Sequence, residues 1–166
     1  MLQRDLDRLG NWSKLWQLGF SIEKCKIMYL GGLRNRKAAY EMQRSDNKQR
    51  MVLHETVEEK DLGVWVTNNA KPSNHVAHAV SKANQLLGLL KRTFSYMDSD
   101  LMRLLFTSVI RPHLEYANVI WHPYLKKDID LIERVQHRAT KIVPSLSQLP
   151  YEERFKKINS ILVSIL

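Results

Sequence analysis

Apolar residues recur every three or four positions along the second half of the chain, with polar residues between them. From His75 to Phe94 this spacing predicts a helix of about five turns with one buried face. A second helix is expected to begin at a cap formed by Asp98 or Ser99 and to break or kink at Pro112, and Asp128 is expected to open a third. The residues expected to face inward are Val76, Val80, Ala83, Leu87, Leu90 and Phe94 on the first helix, and Ile129, Ile132, Val135, Ala139 and Ile142 on the third.

The first half of the chain combines one helical pattern with several short strand patterns. Leu2–Trp16 carries apolar residues at helical spacing, and Gly19 is expected to end that helix. The β-branched and aromatic residues of Leu62–Val66 predict a strand, and shorter strands are expected near Ala39–Met42 and Val52–Leu53.

The boundary between the two patterns falls at Lys71–Asn74, where Pro72 precedes a helix cap expected from Ser73 or Asn74. The chain is therefore predicted to belong to the α+β class. Residues 1–72 are expected to form an N-terminal helix plus a small antiparallel sheet, followed by an α-helical bundle in residues 73–166.

The net charge favours one kind of partner, and the cysteine content excludes two kinds of site. The net charge of +9 and the pI near 9.7 favour a polyanionic partner through long-range attraction to phosphates. The single cysteine, Cys25, excludes an internal disulfide and a multi-cysteine zinc site. The charged N-terminal residues contain no apolar signal core, and the apolar stretch Ile161–Leu166 is far shorter than the ~20 residues of a membrane span. An intracellular, soluble protein is expected.

Two pairs of closely spaced carboxylates resemble metal ligands but are better explained as helix caps. Asp98 with Asp100, and Asp128 with Asp130, each stand where a helix is expected to begin, and negative charge there favours the exposed N–H groups. No two aspartates are adjacent anywhere in the sequence. We therefore predict no metal site in this chain.

Several ordered motifs resemble the reverse transcriptase of a jockey-like non-LTR retrotransposon, a long interspersed element. They are Glu59–Val64 (EKDLGV), Val109–Pro123 (VIRPHLEYANVIWHP) and Asp128–Lys141 (DIDLIERVQHRATK). The resemblance covers nearly the whole chain and implies the C-terminal palm and the helical thumb of an RNA-directed DNA polymerase. It also implies that the fingers and the metal-binding half of the palm lie upstream of Met1.

The resemblance assigns one catalytic residue. Leu18–Met28 (LGFSIEKCKIM) is similar to the family loop called motif D, in which Lys24 takes the place of the motif's lysine. Such a lysine stabilises the charge of the leaving pyrophosphate or donates a proton to it. The alternative is an ordinary surface lysine before a strand. The complete family enzyme implies Mg²⁺ held by an aspartate pair, and this sequence supplies no such pair.

The resemblance also implies residues that bind nucleic acid. Lys60 and Gly63 lie in a segment similar to the family's primer-grip strand, and Lys82, Lys91 and Arg92 lie on the helix that matches the first thumb helix. Such cations contact phosphates and sugars without reading sequence. The alternative readings are a buried strand, with Gly63 as a bulge, and a solvated helix face.

Together these features suggest a fragment of a retrotransposon polymerase that lacks the catalytic aspartate pair and is inactive alone. It is expected to retain non-sequence-specific binding of an RNA–DNA hybrid or primer–template. One alternative is a catalytically inert basic helical module that binds RNA or a protein partner. Another is a polymerase subunit completed in trans by a protein partner that supplies the missing palm half. The resemblance alone implies a nuclear location.

Overall fold

A computed structural model describes residues 2–31, 38–44 and 49–158. Its helices are α1 (Leu2–Leu15), α2 (Ser73–Thr93), α3 (Ser99–Leu105), α4 (Arg111–Glu115), α5 (Asn118–Trp121), α6 (Lys126–Ile142) and α7 (Tyr151–Ile158). Its strands are β1 (Lys26–Ile27), β2 (Glu41–Gln43), β3 (Arg50–Val52), β4 (His54–Glu55), β5 (Glu58–Asp61) and β6 (Val64–Thr67). The chain forms two compact units, one of Met1–Lys60 with Val66–Ala70 and the other of Asp61–Trp65 with Lys71–Leu166.

The first unit packs α1 beside short strand pairs. β2 and β3 pair antiparallel, with Met42 opposite Met51, whereas β1 and β4 pair in parallel. The side-chain amide of Gln3 accepts from the Glu41 N–H at 3.0 Å and donates to the Glu41 carbonyl at 2.9 Å. Gln3 thereby satisfies both backbone groups of Glu41 and joins α1 to β2. A small core of Ile22, Met42 and Leu53 is buried in this unit.

Helix α1 ends earlier than expected and leaves its apolar face exposed. Gln17 takes a left-handed conformation, with φ of 56°, and the Leu18 N–H donates to the Ser13 carbonyl at 3.0 Å. This 6→1 bond closes the helix, so the prediction that Gly19 terminates it was wrong. The exposed apolar residues of α1 and the turn after it are Leu2, Leu9, Trp12, Leu15, Trp16 and Leu18.

A β-hairpin replaces the single strand that was predicted over Leu62–Val66. Leu62 and Gly63 have φ values of 44° and 90° and form the two-residue turn between β5 and β6. Positive φ at both central residues is the pattern of a type I′ turn, which suits the twist of the flanking strands. The bulge suggested for Gly63 is therefore a turn instead.

The second unit buries its core among α2, the helical run from α3 to α4, and α6. The face predicted for α2 is confirmed at Val76, Val80, Ala83, Leu87 and Leu90, while Phe94 is more than one-third exposed. The largest fully buried side chains of this core are Phe106, Met102, Ile110, Leu114 and Ile132. Burial of apolar area of this kind is the main stabilising term for such a bundle.

The predicted N-terminal cap is confirmed for α3 and wrong for α2. Asp98 caps α3 as predicted, because its carboxylate accepts from the Leu101 N–H at 2.8 Å. Pro72 stands at the N-cap of α2, and no side chain caps this helix, so the predicted cap by Ser73 or Asn74 was wrong. Ser73 instead donates its hydroxyl to the buried carboxylate of Asp128 at 2.6 Å. Asp128 lies two residues inside α6 and joins α6 to α2.

Pro112 modifies the helix around it without ending it. The chain widens into a π-helical turn over Phe106–Ile110 and then continues as α4. Because proline has no N–H, a helix interrupted here loses one backbone bond, and the wider turn accommodates that loss. The fold is thus mixed α+β, with an N-terminal helix and a small antiparallel strand pair, as the sequence predicted.

Candidate nucleic-acid interface

The turn of the β5–β6 hairpin packs against Tyr116, the residue that ends the Arg-Pro-His-Leu-Glu-Tyr motif. The Tyr116 hydroxyl donates to the Leu62 carbonyl at 2.8 Å. A Cβ atom added at Gly63 would lie 2.8 Å from Cε1 of the Tyr116 ring, which is closer than real Cβ atoms approach. Gly63 is therefore required both by its positive φ and by the ring beside it. The group that approaches Gly63 closely is this aromatic side chain.

Trp65 fixes the returning strand of the hairpin to α2. Its backbone N–H donates to Nδ1 of His75 at 3.2 Å, and its ring stacks on the ring of His78 at 4.2 Å between centroids. The His75 ring lies 4.8 Å from that of Trp121, whose indole N–H donates to the Tyr116 carbonyl at 2.5 Å. His75 and His78 thus hold Trp65 against α2.

The side chains of the Arg-Pro-His-Leu-Glu-Tyr segment mainly make contacts that stabilise the fold. Arg111 and Glu115 form an ion pair, with Nε 2.6 Å from Oε1, and both side chains are about 30% exposed. Trp121 is buried, whereas Tyr116 is 55% exposed. The motif therefore holds the Leu62–Gly63 turn in place through Tyr116 and leaves part of the Tyr116 side chain exposed.

The cations predicted on α2 are exposed, but they lie on different sides of the helix. Lys82 and Lys91 are nine residues apart, so they project about 180° from each other. Lys82 and Arg92 are ten residues apart, which places them about 80° apart and on one outward side. His78 and Gln85 are also exposed on that side. We call the surface of His78, Lys82, Gln85 and Arg92 the outward face of α2.

Lys91 lines a groove between α2 and α6. The groove has a volume of about 550 Å³ and is walled by two further cations, Arg138 and Lys141, from α6. The guanidinium of Arg138 donates to Oδ1 of Asn84 at 2.9 Å, which holds it at the mouth of the groove. The remaining lining residues are Leu87, Gly88, Ile142, Pro144 and Ser147.

A buried arginine, Arg154, lies where α7 packs on α6. The buried side chain of Arg154 donates to Nε2 of His137 at 3.2 Å and to the Leu149 carbonyl at 2.9 Å. Because arginine can only donate, Nε2 of His137 is the acceptor. Burial lowers the pKa of His137, and the nearby charges of Arg154 and Lys141 lower it further. Arg154 and Lys141 therefore place positive charge near this imidazole.

The two predicted site residues of the first unit are exposed. Lys24 ends a short 3₁₀ turn, Ile22–Lys24, and its N–H donates to the Ser21 carbonyl at 3.0 Å. Lys60 lies in β5, next to Glu59, whose carboxylate pairs with Lys26 at 2.6 Å. Both ammonium groups are solvent-accessible, and such positions suit either a phosphate contact or an ordinary surface lysine.

The described carboxylates do not fit the Mg²⁺ ion of the complete family enzyme. Asp98 caps α3, Asp128 accepts from Ser73, and Glu115 pairs with Arg111. Within the described ranges no group of three or more His, Cys, Asp or Glu side chains is placed to hold a metal ion. Metal-dependent phosphoryl transfer needs such ligands, so we derive no catalytic step from these residues.

The sequence did not indicate the groove residues Arg138 and Lys141. They lie three residues apart on α6, beside the buried Ala139 and the half-buried Ile142, and in the sequence they look like ordinary solvated cations. The only available signal was their position at the edge of the apolar stripe, where a side chain reaches towards a neighbouring helix. Which helix faces them depends on tertiary packing.

Comparisons with known proteins give no identity for this chain. None of the described helices is long and apolar enough to cross a membrane. No protein-family model, curated protein or solved structure matches the chain.

Proposed function

We propose that this chain corresponds to the C-terminal palm and thumb of a reverse transcriptase of the jockey-like non-LTR retrotransposon kind. Its proposed activity is non-sequence-specific binding of an RNA–DNA hybrid or primer–template. The observation that carries the proposal is the contact of the Leu62–Gly63 turn with Tyr116. Two of the motifs on which the resemblance rests contribute Leu62 and Tyr116, which are 54 residues apart and contact each other directly. A shared ancestral fold explains why both motifs occur together in one chain.

The outward face of α2 is the proposed contact for the duplex. Lys82 and Arg92 are exposed there, and within the described residues no carboxylate is paired with either. A convex helix face with two free cations meets phosphates along a duplex groove without reaching base edges. The overall net charge of +9 steers a polyanion towards it.

Catalysis is not proposed for the chain alone, because it contains no adjacent aspartates. We propose that a protein partner supplies the missing half of the palm. The exposed apolar face of α1, which includes Trp12, Leu15 and Trp16, supports a partner that buries it. In such an assembly Lys24 would face the leaving pyrophosphate, and the site of action would be the nucleus, as in the family.

Binding of a labelled RNA–DNA hybrid across a salt series tests the proposal. We expect the affinity to fall steeply with salt and to be the same for unrelated sequences. The double change Lys82→Gln with Arg92→Gln should lower the slope of log K against log salt by about 1.8, at about 0.9 per phosphate contact. A folded chain that does not bind the hybrid at low salt would contradict the proposal and would favour a module for protein partners.

Nucleotide incorporation tests the role of the partner. The chain is expected to incorporate no nucleotide on a primer–template by itself and to do so when the fingers and aspartate-bearing half of a related palm are added. Lys24→Ala should then lower the rate, while Lys14→Ala, an exposed lysine of α1, should leave it unchanged. Activity that is equal for both variants would remove Lys24 from the proposal.

A further inference from the structure

The groove between α2 and α6 has the features of a ligand site. Lys91 comes from one wall, and Arg138 and Lys141 come from the other. Its volume of about 550 Å³ lies within the usual range for small-ligand pockets. Among the described residues no carboxylate pairs with any of these three cations. Three unneutralised cations around one cavity repel each other, and an anion in the cavity would relieve that repulsion.

The floor of the groove determines what kind of anion fits. Leu87, Ile142 and Pro144 line it with apolar surface, and Gly88 adds no side chain. A bare inorganic anion would leave this apolar surface in contact with water. A phosphate attached to a planar or apolar body would use both parts of the groove, because cations bind the phosphate and the floor covers the body.

A hydrogen bond to Asn84 already positions Arg138 for a contact with a phosphate. Its NH1 group donates to Oδ1 of Asn84 at 2.9 Å, and this bond restrains the guanidinium. Among the described residues the other donors of the guanidinium have no hydrogen-bond partner and can bind a phosphate, and a restrained guanidinium loses less side-chain entropy on binding.

We infer that this groove binds one nucleotide of a single-stranded nucleic acid, with its phosphate on the three cations and its base and sugar on the apolar floor. The inference rests on the proposed function and adds a second contact to it. A duplex fits a convex face such as the outward face of α2, whereas a concave cavity of this volume admits one unpaired nucleotide. Lys91 projects about 180° away from Lys82, so the two contacts lie on different sides of α2.

Two double variants separate the groove from cations elsewhere on the helical unit. Lys91→Gln with Lys141→Gln removes two charges from the groove, and Lys126→Gln with Lys127→Gln removes two exposed charges from the start of α6, where neither proposal places a contact. Both have the same net charge, so a difference between them reports position and not overall electrostatics. The probe is a 5′-phosphorylated oligothymidylate of about eight nucleotides, within the site sizes of single-strand binding folds. Thermal unfolding of each variant checks that the fold is kept.

We expect the groove variant to bind the oligothymidylate about 3- to 30-fold more weakly, as for two exposed charge contacts. Its salt slope should fall by about 1.4, at about 0.7 per phosphate on a single strand. The variant Lys126→Gln with Lys127→Gln should stay within about twofold of the unchanged chain. Methyl resonances of Leu87 and Ile142 should shift when the oligonucleotide is added.

Three results would overturn the inference. The first is equal weakening by both variants, and the second is binding without a shift of the Leu87 and Ile142 methyl groups. The third is a shift caused by free thymidine monophosphate in a chain that does not bind the oligonucleotide. The hybrid measurement separates the two proposals. Hybrid binding without groove binding would contradict only the groove, and groove binding without hybrid binding would contradict only the proposed thumb function.

Discussion

The hydroxyl of Tyr116 donates to the backbone carbonyl of Leu62 at 2.8 Å, across 54 residues of sequence. This bond joins the hairpin turn to the end of α4, and Trp121 adds a bond from its indole N–H to the Tyr116 carbonyl. The turn that resembles a primer grip is thereby an integral part of the helical unit. Its position depends on one aromatic side chain and on the glycine that makes room for it.

Gly63→Ala is expected to destabilise the chain by about 2–4 kcal/mol, measured as the free energy of unfolding in denaturant. The left-handed conformation costs an alanine about 1–2 kcal/mol, and contact with the Tyr116 ring adds a cost of similar size. Gly31→Ala is the matched control, because Gly31 has φ of 79° but open space around it. Equal losses for both variants would contradict the close contact.

Tyr116→Phe is expected to lower the free energy of unfolding by about 0.5–1.5 kcal/mol, because it removes the bond to the Leu62 carbonyl. The loss should lie near the lower limit, since the side chain is 55% exposed and water can replace the hydroxyl. Tyr124→Phe serves as the control, because Tyr124 is also exposed and its hydroxyl has no partner among the described residues. If the two variants have the same stability, the hydrogen bond contributes nothing.

Ser73→Ala is expected to cost about 1–3 kcal/mol of unfolding free energy. The change leaves the carboxylate of Asp128, which is 1% exposed, without the hydroxyl that donates to it at 2.6 Å. Ser99→Ala is a control at the first residue of another helix, where the cap comes from Asp98 instead. A negligible loss on Ser73→Ala would show that Asp128 is satisfied in some other way.

Acidification is expected to destabilise the second unit through His137. The folded chain lowers the pKa of His137 below 6.5, so the unfolded chain binds the proton more readily. The stability from this group is present above about pH 6.5 and is lost as the pH falls towards the lowered pKa. Chemical unfolding at pH 7.5, 6.5 and 5.5 measures the loss. His137→Gln should flatten this part of the profile, and an unchanged profile would exclude His137 as its source.

The sequence allowed prediction of the elements whose burial follows local periodicity. The inward face of α2 and the Asp98 cap were predictable, because each depends on residues within one or two turns. The hairpin turn was missed, since leucine is rare at positive φ and no Asn-Gly or Asp-Gly pair marked the site. Ser73 looked like a cap, because its partner lies 55 residues away on α6.

The candidate site was less predictable than the fold. Lys82, Lys91 and Arg92 were correctly expected to be exposed, but they were predicted to lie on one common surface of the helix. Helix geometry places Lys91 on the other side of α2, where it lines the groove together with Arg138 of α6. Which cations share a surface is decided by how two helices pack, and packing is a property of the tertiary structure.

Mapping the bound hybrid by backbone amide chemical shifts tests the central claim most directly. On titration with an RNA–DNA hybrid, we predict the largest shifts on the outward face of α2, at His78, Lys82, Gln85 and Arg92. Smaller shifts should occur at the Leu62–Gly63 turn, and Lys82→Gln with Arg92→Gln should weaken the binding that causes both sets of shifts. Saturable binding with shifts elsewhere in the chain, or a folded chain whose spectrum the hybrid does not change, would contradict this account.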